Sequence, residues 1–103
     1  MVLFRTDSPS ISSGETVTLT LYTVGEIVCE ADAHPAPSNY VTWERAGFDL
    51  SGFQHEFADN KATMRLNNVS LADAGLYACN ANNGIEPAAK KDVVVVVQCE
   101  YLL

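Results

Sequence analysis

Four residues constrain this chain more than any others. Cys29 and Cys79 stand fifty positions apart, Trp43 follows the first by fourteen, and Tyr77 precedes the second by two, within Asp73-Ala74-Gly75-Leu76-Tyr77-Ala78-Cys79. Each alone is weak evidence, but four in register select few architectures. At 103 residues the chain is the size of one domain. Its 48% hydrophobic content is enough for a packed interior.

The pattern between these landmarks is that of strands. Segments rich in Val, Thr, Tyr and Leu recur with turn residues between them, and no long stretch repeats apolar positions at helical spacing. Thr16 to Tyr22 alternates cleanly and is expected as the first strand, with Ile27 to Ala31 the next. His34-Pro35-Ala36-Pro37-Ser38 reads as a loop, because proline lacks the N–H that a ladder needs. Tyr40 to Glu44 follows, with Val41 and Trp43 on one face and Thr42 and Glu44 on the other. Phe53 to Phe57 is a candidate edge strand, and Ala62 to Leu66 places Ala62, Met64 and Leu66 inward. Leu76 to Ala81 carries Cys79, Asn82-Asn83-Gly84 has the chemistry of a tight hairpin turn, and Lys91 to Gln98 closes the set. The fold class expected is all-β.

With these residues in place, the chain resembles an intermediate-set (I-set) immunoglobulin domain of the kind found in multi-domain cell-adhesion molecules and receptors. The resemblance rests on Leu66-Asn67-Asn68-Val69-Ser70-Leu71-Ala72-Asp73-Ala74-Gly75-Leu76-Tyr77-Ala78-Cys79-Asn80-Ala81 and on Cys29-Glu30-Ala31-Asp32-Ala33-His34-Pro35-Ala36-Pro37, and covers about residues 16 to 98. It implies an immunoglobulin-like β-sandwich of two antiparallel sheets, one inter-sheet disulfide between Cys29 and Cys79, and a core built on Trp43, Leu66 and Tyr77. Leu21 competes for the first cysteine position, but only Cys29 lies at suitable distances from Trp43 and Cys79. The interval from Trp43 to Leu66 is too short for the extra strands of a variable domain. The expected organisation is a tail or interdomain linker over 1–12, the domain over 13–98 and a C-terminal tail over 99–103.

Chemistry-bearing patterns are few. His34 and His55 lack partners at metal-ligand spacing, and there is no Cys-x-x-Cys, nucleophile elbow or glycine-rich phosphate loop. No catalytic residue, metal or cofactor is expected, and the chain is read as non-enzymatic. Thirteen acidic residues against six basic give a net charge of −7, which repels nucleic-acid phosphates. An acidic surface that maintains solubility accounts for that charge equally well. The N-terminus has no signal-peptide pattern, and no run approaches the roughly 20 apolar residues of a membrane span. Direct membrane insertion is not expected, and the chain reads as a fragment of a longer protein.

The candidate sites lie on surfaces. Asn68-Val69-Ser70 is an N-glycosylation sequon. In the valine run Val93 to Val97 one parity must face the core. Counting outward gives Thr42, Glu44, Ala78, Asn80, Val94 and Val96 as a small, weakly charged face able to pack on another domain. Simple β-propensity explains the same valines. Asn82 and Asn83, with residues 34–40, form a second candidate contact at one end. Cys99 is the odd cysteine: it pairs between chains, pairs with a neighbouring domain, or is a free thiol exposed by truncation. The resemblance implies an extracellular, secreted or cell-surface module that binds a protein partner, homophilic or heterophilic, beside flanking domains of its parent. An intracellular structural spacer of a muscle or cytoskeletal protein shares the same core and is the alternative.

Overall fold

The computed structural model describes residues 7–12 and 16–99. Among the described residues, eight strands form two four-stranded sheets, and one turn of 3₁₀ helix accompanies them. The first holds β1 (Asp7–Ile11), β3 (Gly25–His34), β6 (Lys61–Leu66) and β5 (Gln54–Ala58), in that spatial order. The second holds β2 (Thr16–Thr20), β8 (Ala89–Gln98), β7 (Gly75–Ala81) and β4 (Val41–Glu44). The helical turn, Leu71–Asp73, joins the sheets between β6 and β7. The all-β sandwich is therefore present.

Period-two alternation decides what the sandwich encloses. Along β3, Gly25, Ile27, Cys29, Ala31 and Ala33 are buried and the residues between them exposed, save half-buried His34 at the end. On β6, Ala62, Met64 and Leu66 point inward, and on β8, Val93 and Val95 do so. Cys29 on the first sheet and Cys79 on the second are joined by a disulfide, with Cα atoms 6.4 Å apart. Trp43 lies directly opposite Cys79 across β4 and β7. Its indole Nε1 donates to the carbonyl of Ala62 on the facing sheet at 3.0 Å, so Trp43 links the layers by a hydrogen bond as well as by apolar volume.

Several expectations are corrected. Asp7–Ile11, read as part of a tail or linker, is an edge strand paired antiparallel with β3, from Asp7 opposite His34 to Ile11 opposite Ala31. Its register shifts between Asp7 and Ser10, around Pro9, as suits a residue that cannot donate to a ladder. Residues 1–6 of that segment lie outside the described residues, as does most of the C-terminal tail. The sheets are not wholly antiparallel, because β2 pairs parallel with β8, Thr16 opposite Val94 through Thr20 opposite Gln98. The expected tight turn at Asn82-Asn83-Gly84 is instead a loop over 82–88. Gly84 alone of the three has positive φ (89°), and the asparagine side chains bond backbone themselves.

Candidate functional site

The outer face of the β2-β8-β7-β4 sheet is built in rows fixed by register. Thr16, Val94 and Leu76 are mutually opposite across β2, β8 and β7, and Thr18 lies opposite Val96 in the next row. Leu76, Val94 and Val96 are 57%, 44% and 42% exposed, the consequence of β7 and β8 alternating into the core at Tyr77, Val93 and Val95. The other half of the face is polar. One row runs Glu44, Ala78, Asp92 and another Thr42, Asn80, Lys90. Lys90 Nζ stands 3.3 Å from the Glu44 carboxylate. Hydrogen bonding from Asn80, then from Lys90, holds the Glu44 carboxyl below its usual range. A shallow depression of about 230 Å³ lies between the halves, lined by Glu44, Leu76, Ala78 and Lys90 among others.

Two residues change status here. Ala78 was expected to contribute to the face, but only 6% of it is exposed; its small side chain sits between the longer Glu44 and Asp92. Leu76 was overlooked although parity with Ala78 and Asn80 places it outward, and it is the most exposed apolar side chain of the face.

The end loops are less free than their composition suggests. Asn83 Nδ2 donates to the carbonyls of both Asp7 and Pro35 at 2.9 Å, and its Oδ1 accepts from the Ile85 amide. Its amide ties β1, the loop after β3 and the 82–88 loop together, so Asn83 is committed to structure. Asn82 is exposed, but its Oδ1 accepts from the Gly84 amide and its N–H donates to the Tyr40 carbonyl. Asn68 is exposed beyond the end of β6. Cys99 is exposed after β8 and forms no disulfide.

At the start of β7 the Tyr77 hydroxyl donates to the Asp73 carbonyl at 2.7 Å, closing a corner between the helical turn and the strand. Arg45, which the sequence did not single out, completes it. Its guanidinium donates to the carbonyls of Ala72 (3.0 Å) and Ala74 (2.7 Å) and to the Tyr77 hydroxyl (3.3 Å), and stacks over the Phe48 ring at 3.8 Å. Gly47, with φ of 81°, makes the turn that brings Phe48 back onto Arg45.

This corner, the inter-sheet disulfide and the indole above it agree with the comparison to known families, in which the immunoglobulin domain matches residues 4–83. The chain belongs to the immunoglobulin-domain family. Nephrin of Mus musculus is 33% identical over 78 residues, covering 71% of this chain and 6% of nephrin. Hemicentin-2 of the same species is 33% identical over 99 residues, 93% of this chain and 2% of that protein. The cell adhesion molecule Dscam1 of Drosophila melanogaster is 30% identical over 79 residues, 71% of this chain and 4% of Dscam1. The chain thus spans a small fraction of the curated relatives it matches. Among solved structures, a chimeric titin Z1Z2 superposes with a TM-score of 0.75 at 25% identity over 93% of this chain and 99% of that one. The Ig1-2 module of the Drosophila receptor protein tyrosine phosphatase DLAR gives 0.74 at 22% over 91% of this chain and 50% of that one, a likeness of fold. Among the described residues of this immunoglobulin domain, no three His, Cys, Asp or Glu side chains converge on a metal position, and no helix is long and apolar enough to cross a membrane.

Proposed function

We propose that this immunoglobulin domain is an extracellular, non-catalytic recognition module of the I-set kind, within a multi-domain cell-adhesion or receptor protein. It docks a protein partner on the outer face of the β2-β8-β7-β4 sheet. The observation behind this reading is the contiguous exposed row of Leu76 and Val94 with Val96 beside it, bordered by Glu44, Lys90 and Asp92. An apolar centre with a charged border is the anatomy of a modest protein interface. Burying such side chains stabilises a complex by about 1.5 kcal/mol or more each, before the cost of association. Tandem domains would multiply that by effective concentration. A net charge of −7 opposes pairing of two copies and favours a heterophilic partner with basic groups at its border.

Tetramers of the chain, applied to cells of the source tissue, test the surface. Val94→Arg combined with Leu76→Arg is expected to reduce binding at least tenfold while leaving the thermal midpoint in place. Undiminished binding by the folded variant would remove this face from consideration.

The titin likeness favours one other reading, an intracellular structural spacer. The redox state of Cys29 and Cys79 in protein trapped from its native source separates the two. A disulfide there accords with the extracellular module, and free thiols with the spacer.

A further inference from the structure

We propose that Asn68 is an N-glycosylation site whose first sugars lie against Tyr22. The proposal rests on the extracellular reading for its occurrence in the parent protein, but not for its chemistry. Asn68-Val69-Ser70 satisfies the acceptor triplet, and both Asn68 and Ser70 are exposed while Val69 between them is fully buried. The buried valine anchors the triplet and leaves the asparagine turned away from the core at the tip between β6 and the helical turn.

The second observation is the chain that runs beside it. The Tyr22 amide donates to the Val69 carbonyl at 2.8 Å and the Val69 amide to the Thr23 carbonyl at 3.0 Å, so two residues oppose one. That is the bonding of a β-bulge whose first position is left-handed and ordinarily glycine. Here the position is tyrosine, with φ of 67° and 77% of its surface exposed. A bulky side chain in that conformation is uncommon. The bulge thereby holds an aromatic ring outside the core one strand away from the acceptor segment. Val24 and Leu71, within two residues of the same pair of hydrogen bonds, are exposed as well. Exposed apolar side chains on the segments flanking a glycan acceptor suit the polarised C–H faces of pyranose rings, which pack on the negative face of an aromatic ring.

The transfer needs a lipid-diphosphate-linked oligosaccharide as donor. A bond forms between the sugar's anomeric carbon and Asn68 Nδ2, the bond from that carbon to the diphosphate oxygen breaks, and the proton lost by the amide leaves with the lipid diphosphate.

The test is expression of the full chain behind a cleavable secretory leader in animal cells, with both secreted and cell-retained protein recovered. Release of the glycan by peptide-N-glycosidase should collapse the heavier species and convert Asn68 to aspartate on peptide mapping. Unmodified Asn68 in both fractions would overturn the site. Because secretion is imposed, this result is independent of where the parent protein resides; that question is answered by the thiol state of Cys29 and Cys79. The contact with Tyr22 is read by a cycle of Asn68→Gln with Tyr22→Ala on the glycosylated chain. Asn68→Gln is expected to lower the thermal midpoint by about 4 °C with Tyr22 present and to leave it unchanged with alanine there. Equal shifts in both backgrounds would overturn the contact, and bacterial protein without glycan controls for the substitution itself.

Discussion

Replacing Tyr77 by phenylalanine isolates one hydroxyl in the corner that fixes the start of β7. The ring is 1% exposed and fills the same space after substitution, so no cavity forms. What is lost is the bond to the Asp73 carbonyl at 2.7 Å and one of the three acceptors of Arg45, which keeps those on Ala72 and Ala74. A hydroxyl–carbonyl bond is worth about 1 kcal/mol net, and a carbonyl left partly unsatisfied adds a comparable amount, so the loss is about 2 kcal/mol. For a domain of this size that lowers the thermal midpoint by about 10 °C. Arg45→Leu removes all three donated bonds and should cost about the same, since its side chain is half-exposed. The hydroxyl and the guanidinium share a bond, so the double variant should fall short of the sum by about 0.5–1 kcal/mol. Urea unfolding followed by Trp43 fluorescence measures all four proteins, with an unchanged slope as the condition for comparison. A Tyr77→Phe loss below about 0.5 kcal/mol, within the range of ordinary surface changes, would refute the argument. Strict additivity with Arg45→Leu would refute the coupling.

Other outcomes follow from the same geometry. Gly75 has φ of 149°, and a Cβ there would lie 2.7 Å from Arg45 Nη2. Gly75→Ala should therefore destabilise by about 1–3 kcal/mol in the same urea assay, and a neutral result would deny both the strain and the contact. Replacing Cys29 and Cys79 together by alanine should cost about 4 kcal/mol, the chain-entropy value for a fifty-residue loop, and a loss under about 1 kcal/mol would show that packing around Trp43 suffices alone. Burial chiefly raises the phenol of Tyr77, outweighing the lowering by Arg45, and burial followed by Asp32 raises that of Tyr40. The folded state thus holds these protons more tightly, so stability is fully present below the ordinary phenol value near 10 and falls as pH rises through the folded values. An alkaline titration of unfolding free energy should decline less steeply in Tyr77→Phe than in the native chain, and equal slopes would exclude Tyr77 from the effect.

What could be read in advance was whatever alternation and spacing encode directly. Gly25–His34 obeys period two along most of its length, and Cys29, Trp43 and Cys79 occupy the positions their intervals implied. Asp7–Ile11 escaped because an edge strand bonded to one neighbour tolerates serines and Pro9, leaving little apolar signal. The 82–88 loop was misjudged because Asn82 and Asn83 resemble turn formers, yet act through side-chain bonds; those to Asp7 and Pro35 reach residues distant in sequence. Arg45 carries no local signature: its role exists only once the chain returns at Ala72 to Tyr77. Leu76 was legible by parity and Ala78 was not, since side-chain direction is set by the pleat whereas exposure depends on the length of the neighbours.

The same strands serve the core and the proposed surface, and this constrains how a partner can approach. Along β8, Val93 and Val95 are enclosed while Val94 and Val96 face out, so the outward residues can change without altering the packing that Cys79 and Trp43 depend on. The apolar rows run toward Gln98, whose carbonyl accepts the Leu21 amide, and Tyr22 and the Asn68 segment follow at that end. A glycan on Asn68 would therefore bound the face beyond Val96 rather than cover its polar half. The face then stays open on the side of Thr42, Asn80 and Lys90, where a partner covering Leu76 and Val94 would also meet the Glu44–Lys90 pair at the border. The charged pair is exposed and adds little affinity by itself. Its influence would fall on the rate and orientation of encounter, leaving the duration of the complex to the apolar rows.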